Sequence, residues 1–236
     1  MNDRESQATS FGPVAAVYER GRPPYPQEAL DWLLPAGRPE VLDLGAGTGK
    51  LTRQVQARGL DVTAVDPSEG MLAELRRLLP EVPARQGTAE SIPVPDDSAD
   101  VVLCAQAWHW VDPERAVPEV ARVLSPGGRL GLIWNLRDES VEWVHRLGTL
   151  IGAREEMRRT GLGPPFGPVE LRTFAWSNPM DADRLADLVA SRSYVILMAS
   201  EERAALLGQV RELAAELGDS FAMPYVTHCA RADLQA

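Results

Sequence analysis

Cysteine is scarce in this 236-residue chain. Cys104 and Cys229 alone make neither a disulfide framework nor a zinc site, which suits a reducing compartment, and no metal site is expected. No apolar run is long enough to span a bilayer, and the leading MNDRESQATS lacks the apolar stretch of a signal peptide. Both absences point to a cytoplasmic protein without a membrane partner. A basic block is missing too. The chain carries 24 Lys and Arg against 34 Asp and Glu, a net charge of −10, so nucleic acid is not an expected partner, because phosphate binding leaves a basic footprint. No repeat at solenoid periods and no long low-complexity tract is visible. What is there is an ordinary soluble composition, 44% hydrophobic and 25% charged, and enough length for one generous domain with a substantial core.

From residue 40 onward, short β-branched runs alternate with helical patterns. Strands are expected at Glu40–Leu44, Asp61–Val65, Val82–Gln86, Asp100–Ala105 and Arg129–Trp134. Helices are expected from Lys50, from Ser68 as N-cap, and from Asp112-Pro113, with a kink or restart at Glu119 where Pro118 removes a hydrogen bond. Ser125-Pro-Gly-Gly128 reads as a plain turn. This βαβ rhythm predicts an α/β fold with a parallel sheet covered by helices on both faces. Residues 1–35 form an N-terminal helical cover containing two short helical stretches. Residues 36–236 form the main domain, with helical additions in 137–220. These include a long helix over about 139–159, a strand near Val169–Trp176, two further helices and a last strand near Phe221–Cys229.

The stretch VLDLGAGTGK carries the most chemistry. As a Walker A loop it fails twice, with Leu44 where the first glycine belongs and Leu51 in the Ser/Thr slot. As a dinucleotide fingerprint it is weakened, since Lys50 occupies the third glycine's place. The spacing Gly45, Gly47, Gly49 behind Asp43 suits S-adenosylmethionine (SAM) better. A carboxylate there would repel a pyrophosphate but can pair with the methionyl ammonium, and glycines admit a ligand to the backbone. Asp66, closing the second strand, can accept both ribose hydroxyls, or cap the turn before Pro67.

With VTAVDPSEGML, GTAESIPVPDDSADVV and EVARVLSPGG following in order, residues 41–134 resemble the class I SAM-dependent methyltransferases. The similarity is to the small-molecule branch, exemplified by ubiquinone/menaquinone-biosynthesis and trans-aconitate methyltransferases. The flanks YERGRPPYP, SRSYV and PYVT resemble a subgroup of that family. The resemblance implies a Rossmann-like seven-stranded sheet in the order 3-2-1-4-5-7-6 with strand 7 antiparallel. It also implies transfer of a methyl group from SAM to a small-molecule acceptor, leaving S-adenosylhomocysteine (SAH), by a monomer or homodimer. The implied cofactor contacts are Asp43, Gly45, Ala46, Gly47, Gly49, Asp66, Pro67, Met71, Ala89, Glu90 and Gln106. Where many relatives carry an Asp against adenine this chain has Thr88, so adenine recognition shifts toward the backbone near Ala89 and toward Glu90.

In CAQAWHW, the segment after the fourth strand, Trp108, His109 and Trp110 reach the edge of the sheet where ligands bind. Two readings stay open for His109. It is either the base for an acceptor that must lose a proton or a packed residue that holds the loop. A carboxylate acceptor would need no base, and Arg22 and Arg192 could grip it, with Tyr18, Tyr25 and Tyr194 as polar aromatics. Trp134 and Asn135, ending the fifth strand, are further candidates for the acceptor wall, or a packed residue and a turn. A nicotinamide oxidoreductase on the same sheet, a SAM-binding protein without activity and a methyltransferase with a protein acceptor are the alternatives.

Overall fold

The computed structural model describes residues 19–152 and 162–235. The first part of the N-terminal cover, with Tyr18, and the far end of the expected 139–159 helix lie outside the described residues.

Seven strands form one sheet in the order β3-β2-β1-β4-β5-β7-β6. They are β1 (Val41–Leu44), β2 (Val62–Asp66), β3 (Ala84–Gln86), β4 (Ala99–Ala105), β5 (Leu124–Arg137), β6 (Glu170–Met180) and β7 (Phe221–Asp233). β1 through β5 pair in parallel, and β7 is antiparallel to both neighbours. The α-helices that lie wholly within the described residues are α1 (Gln27–Leu33), α2 (Lys50–Gln56), α3 (Glu69–Leu78), α4 (Pro113–Val123), α5 (Glu142–Leu150), α6 (Ala182–Ala190), α7 (Ser193–Ile196) and α8 (Ser200–Ala215).

β1 is buried at all four positions, as a central parallel strand covered on both faces must be. Because side chains alternate along a strand, each strand feeds two cores. Leu42, Val102, Cys104, Leu132 and Trp134 enter the cluster under α4, while Val41, Val101, Leu103 and Ile133 enter the one under α1 and α2. A third cluster joins α5, α6 and α8 to the start of β7.

Four local expectations change. α4 runs unbroken through Pro118, because Ala116, Val117, Val120 and Val123 bury one apolar stripe that outweighs a single missing hydrogen bond. The Ser125–Gly128 turn lies within β5, as an excursion between the pairings Ala99↔Leu124 and Val101↔Arg129. β7 continues to Asp233, held by its ladder to β5. Three helices, not two, separate β6 from β7, since Arg192 breaks the run into α6 and the single turn of α7.

The described part of the cover reaches the body through Gly21. A Cβ on this residue would stand 2.5 Å from the backbone carbon and oxygen of Asp187 in α6. Such overpacking costs about 1–3 kcal/mol, so Gly21→Ala is expected to lower the melting temperature by roughly 3–10 °C. An unchanged melting curve would mean that the cover does not rest on α6 in solution.

Candidate active site

The site is built where β1, β4 and β5 end. Gly45 and Ala46 donate their N–H groups to the Val65 carbonyl at 2.8 and 3.1 Å, tying the turn after β1 to β2. Gly45 has φ 75° and a Cβ there would stand 2.6 Å from that of Ala107, so glycine is required both for the bend and for the close approach. Gly47, at φ 57°, has nothing within 4 Å of its absent Cβ, which leaves open space beside the turn. Gly49 opens α2 and packs on Leu75 and Leu79.

Two carboxylates support this turn. Asp66 is 7% exposed and accepts from the Gly47 N–H at 2.8 Å and from the Ser68 N–H at 2.8 Å, one bond to each oxygen. It therefore braces the glycine turn and the start of α3 together, and each oxygen keeps a further lone pair. Burial raises its pKa, opposed by those two bonds. Asp43 is wholly buried. Its Oδ2 accepts from Thr52 Oγ1 at 2.6 Å, and its Oδ1 has no partner. Burial pushes its pKa up to about 7, with the nearby charge of Asp66 adding to the rise and the Thr52 hydrogen bond opposing it.

A cleft partly open to solvent lies against these groups. Asp43, Gly45, Ala46, Gly47, Lys50, Gln106 and Asn135 are among its walls, and Arg22 and Tyr25 of the cover complete it. Arg22 donates from Nε to Ser191 Oγ at 3.0 Å, so the cover and the end of α6 fix its position. Glu19 gathers Thr48, Lys50 and Arg53 of the glycine turn and α2 around one carboxylate, at 2.7, 3.3 and 2.7 Å. Burial lowers the pKa of Lys50, and Glu19 opposes that shift. Gln106 takes φ 58°, a left-handed conformation uncommon outside glycine. Its Nε2 donates to the Asn135 carbonyl at 3.1 Å.

The other sequence candidates fall elsewhere. Trp108 is 2% exposed and packs in the core beneath α4, as does Trp134, and neither is among the residues lining this cleft. His109 and Trp110 are partly exposed on the same short 3₁₀ turn, with ring centroids 4.7 Å apart. Arg192 and Tyr194 flank the start of α7 and are not part of the cavity wall. Pro67 and Met71 stand at the start of α3, where Ser68 Oγ caps the helix by accepting from the Met71 N–H. Thr88 is exposed and bridges to Ser91, whereas Ala89 is buried. Glu90 accepts from the Asp112 N–H at 2.9 Å, so it fastens the β3–β4 loop to the segment after Trp110. The residues that sequence reasoning missed are Glu19, Lys50, Thr52 and Ser191. Thr52 carried a faint signal, nine residues after Asp43 on the first turn of the next helix; the other three carried none as ligands.

The residue set fits a cofactor with a zwitterionic end: a carboxylate with an unpartnered buried oxygen and two cationic side chains line one cleft, beside a glycine turn open at Gly47. Comparison with known proteins agrees. Residues 42–132 match the model of a family described as a methyltransferase domain. An uncharacterized methyltransferase of Mycobacterium tuberculosis is 54% identical, over 98% of this chain and 98% of that protein. An uncharacterized methyltransferase-like protein of Schizosaccharomyces pombe is 35% identical, over 87% of this chain and 86% of its own length. Among solved structures, one from Anaeromyxobacter dehalogenans, described provisionally as a type II methyltransferase, superposes with a TM-score of 0.68 at 25% identity. It covers 91% of this chain and 97% of that one. The nicotinamide alternative gives way to these matches. The chain belongs to the class I SAM-dependent methyltransferases.

Proposed function

We propose that the chain transfers a methyl group from SAM to a small-molecule acceptor, with the cofactor's amino-acid end in the cavity beside the glycine turn. The observation that carries this reading is Asp43 Oδ1, a buried carboxylate oxygen with no partner, on the wall that also holds Arg22 and Lys50. When bound, the cofactor supplies a methyl already activated on a sulfonium. The work left to the protein is to bind, to align and to exclude water.

Asp43 and the Gln106 side-chain carbonyl are the acceptors for an ammonium, and Arg22 with Lys50 supplies charge for a carboxylate. This moves Arg22 from the acceptor to the cofactor. Asp66 offers its remaining lone pairs to a ribose, while Pro67, Met71, Ala89 and the backbone at Thr88 line the path toward adenine. Residues 19–35 act as a cover over the site, and the acceptor enters past Tyr25, His109 and Trp110. The net charge of −10 supports a small acceptor over RNA.

Calorimetric titration with SAH and with NAD⁺ tests the reading: SAH binds and NAD⁺ does not. Binding of NAD⁺ alone would overturn it. A base is needed only where the acceptor's nucleophile carries a proton, and we assign that role to His109. With such an acceptor, His109→Ala should lower kcat by about 100-fold or more. Unchanged turnover would assign His109 to holding the loop on Trp110.

A further inference from the structure

β5, β7 and β6 bring together three side chains that no local pattern joins. The Trp176 indole Nε1–H donates to Thr227 Oγ1 at 2.7 Å, the Thr227 hydroxyl donates to Asn135 Oδ1 at 2.6 Å, and Asn135 Nδ2 donates to the Pro24 carbonyl at 2.9 Å. Pro24 belongs to the cover. The next residue, Tyr25, is held on both backbone groups by the Gln54 side chain, at 2.9 and 2.7 Å. The chain of bonds therefore runs from strand β6, on the edge of the sheet, to the cover above the cavity.

Its polarity is set at the far end. An indole N–H can only donate, so the Thr227 oxygen must accept there and turn its own proton toward Asn135. Asn135 then has one orientation, with Oδ1 on Thr227 and Nδ2 toward the cover. A reversed amide would face Oδ1 against the Pro24 carbonyl and strand the Thr227 proton. Thr227 is completely buried and Asn135 is 6% exposed, so neither can exchange these partners for water without cost. Trp176 is itself held, stacked on Tyr225 with centroids 5.3 Å apart. The Asn135 backbone carbonyl also receives Gln106 Nε2, which leaves the Gln106 oxygen for the cavity.

We propose that Asn135 is a positioning residue for methyl transfer, its amide oriented by the Trp176–Thr227 relay so that it holds the cover at Pro24 over the bound cofactor. The cofactor part of this statement rests on the proposed function; the hold on the cover does not. The two are separable by experiment.

Thr227→Val keeps the side-chain shape and removes the hydroxyl. In the ligand-free protein, hydrogen exchange in the peptide covering residues 19–30 should speed up by about fivefold, the effect of one lost neutral hydrogen bond. The dissociation constant for SAH should rise by roughly the same factor, and Thr227→Ser should restore both. Trp176→Phe retains the stacked ring but unlocks the polarity, so a smaller change of about twofold in the same direction is expected. It also serves where Thr227→Val fails to fold. Wild-type exchange over residues 19–30 in both variants overturns the proposal, as does failure of Thr227→Ser to restore it in a folded protein. If the wild type does not bind SAH, the proposed function falls, while the exchange measurement still decides the relay.

Discussion

Asp66→Ala should weaken SAH binding by at least about 100-fold while the protein stays folded. Removing the carboxylate leaves the N–H groups of Gly47 and Ser68 without their acceptor, in a site only 7% exposed. Each orphaned buried donor costs about 1–3 kcal/mol, so the turn is destabilised by roughly 2–6 kcal/mol before any ligand contact is counted. Each factor of ten in affinity needs about 1.4 kcal/mol, so loss of turn geometry alone reaches the stated effect. Asp66→Asn keeps one acceptor oxygen and should lie between the two. Calorimetry on all three proteins decides the matter, and an Asp66→Ala protein within about threefold of wild type would refute the bracing role.

The second large effect concerns pH. Burial raises the Asp43 pKa in the folded protein to about 7, whereas an exposed aspartate titrates near 3.9. Between those values the folded state holds the proton and the unfolded state has lost it. Stability is then fully present below about pH 4 and falls as pH rises toward and past 7. A difference of about 3 pKa units corresponds to a ceiling on the order of 4 kcal/mol. Asp43→Asn removes this dependence. The gap between wild type and Asp43→Asn in urea unfolding should therefore widen by about 2–4 kcal/mol from pH 4 to pH 8 in the ligand-free protein, with the variant the more stable at pH 8. A cationic ligand group reverses the preference and favours the carboxylate. Binding of SAH at pH 7 should release about half a proton, read as the dependence of calorimetric heat on buffer ionisation. Equal unfolding curves at both pH values, or no proton release, would show that Asp43 is ionised from the outset.

Where the signal was local, the sequence was read closely. Ser68 caps the helix it was expected to cap and Asp112-Pro113 opens the next as expected, since a side-chain oxygen bonding two or three residues ahead needs nothing from the rest of the fold. The glycine turn and the segment beginning at Gln106 lie together at one sheet edge, because parallel βα units place all such turns on the same side. Expectations failed where neighbours decided. Pro118 stays helical because four buried apolar residues hold its helix. Trp108 and Trp134, read as walls of an acceptor site, face the core, since strand alternation and the tight 3₁₀ turn direct them there.

The sequence by itself determined the succession of the strands, the glycine turn behind Asp43, the acid at the end of the second strand and the family. All of these are encoded within short windows. Only the tertiary structure decided which side chains meet. Asn135, Thr227 and Trp176 are far apart along the chain and become neighbours through the antiparallel register of β5, β7 and β6. Glu19 and Arg22 become part of the site because the cover folds back over the end of the sheet. Register and chain reversal depend on the whole core packing at once, so no residue types at any fixed spacing could announce them.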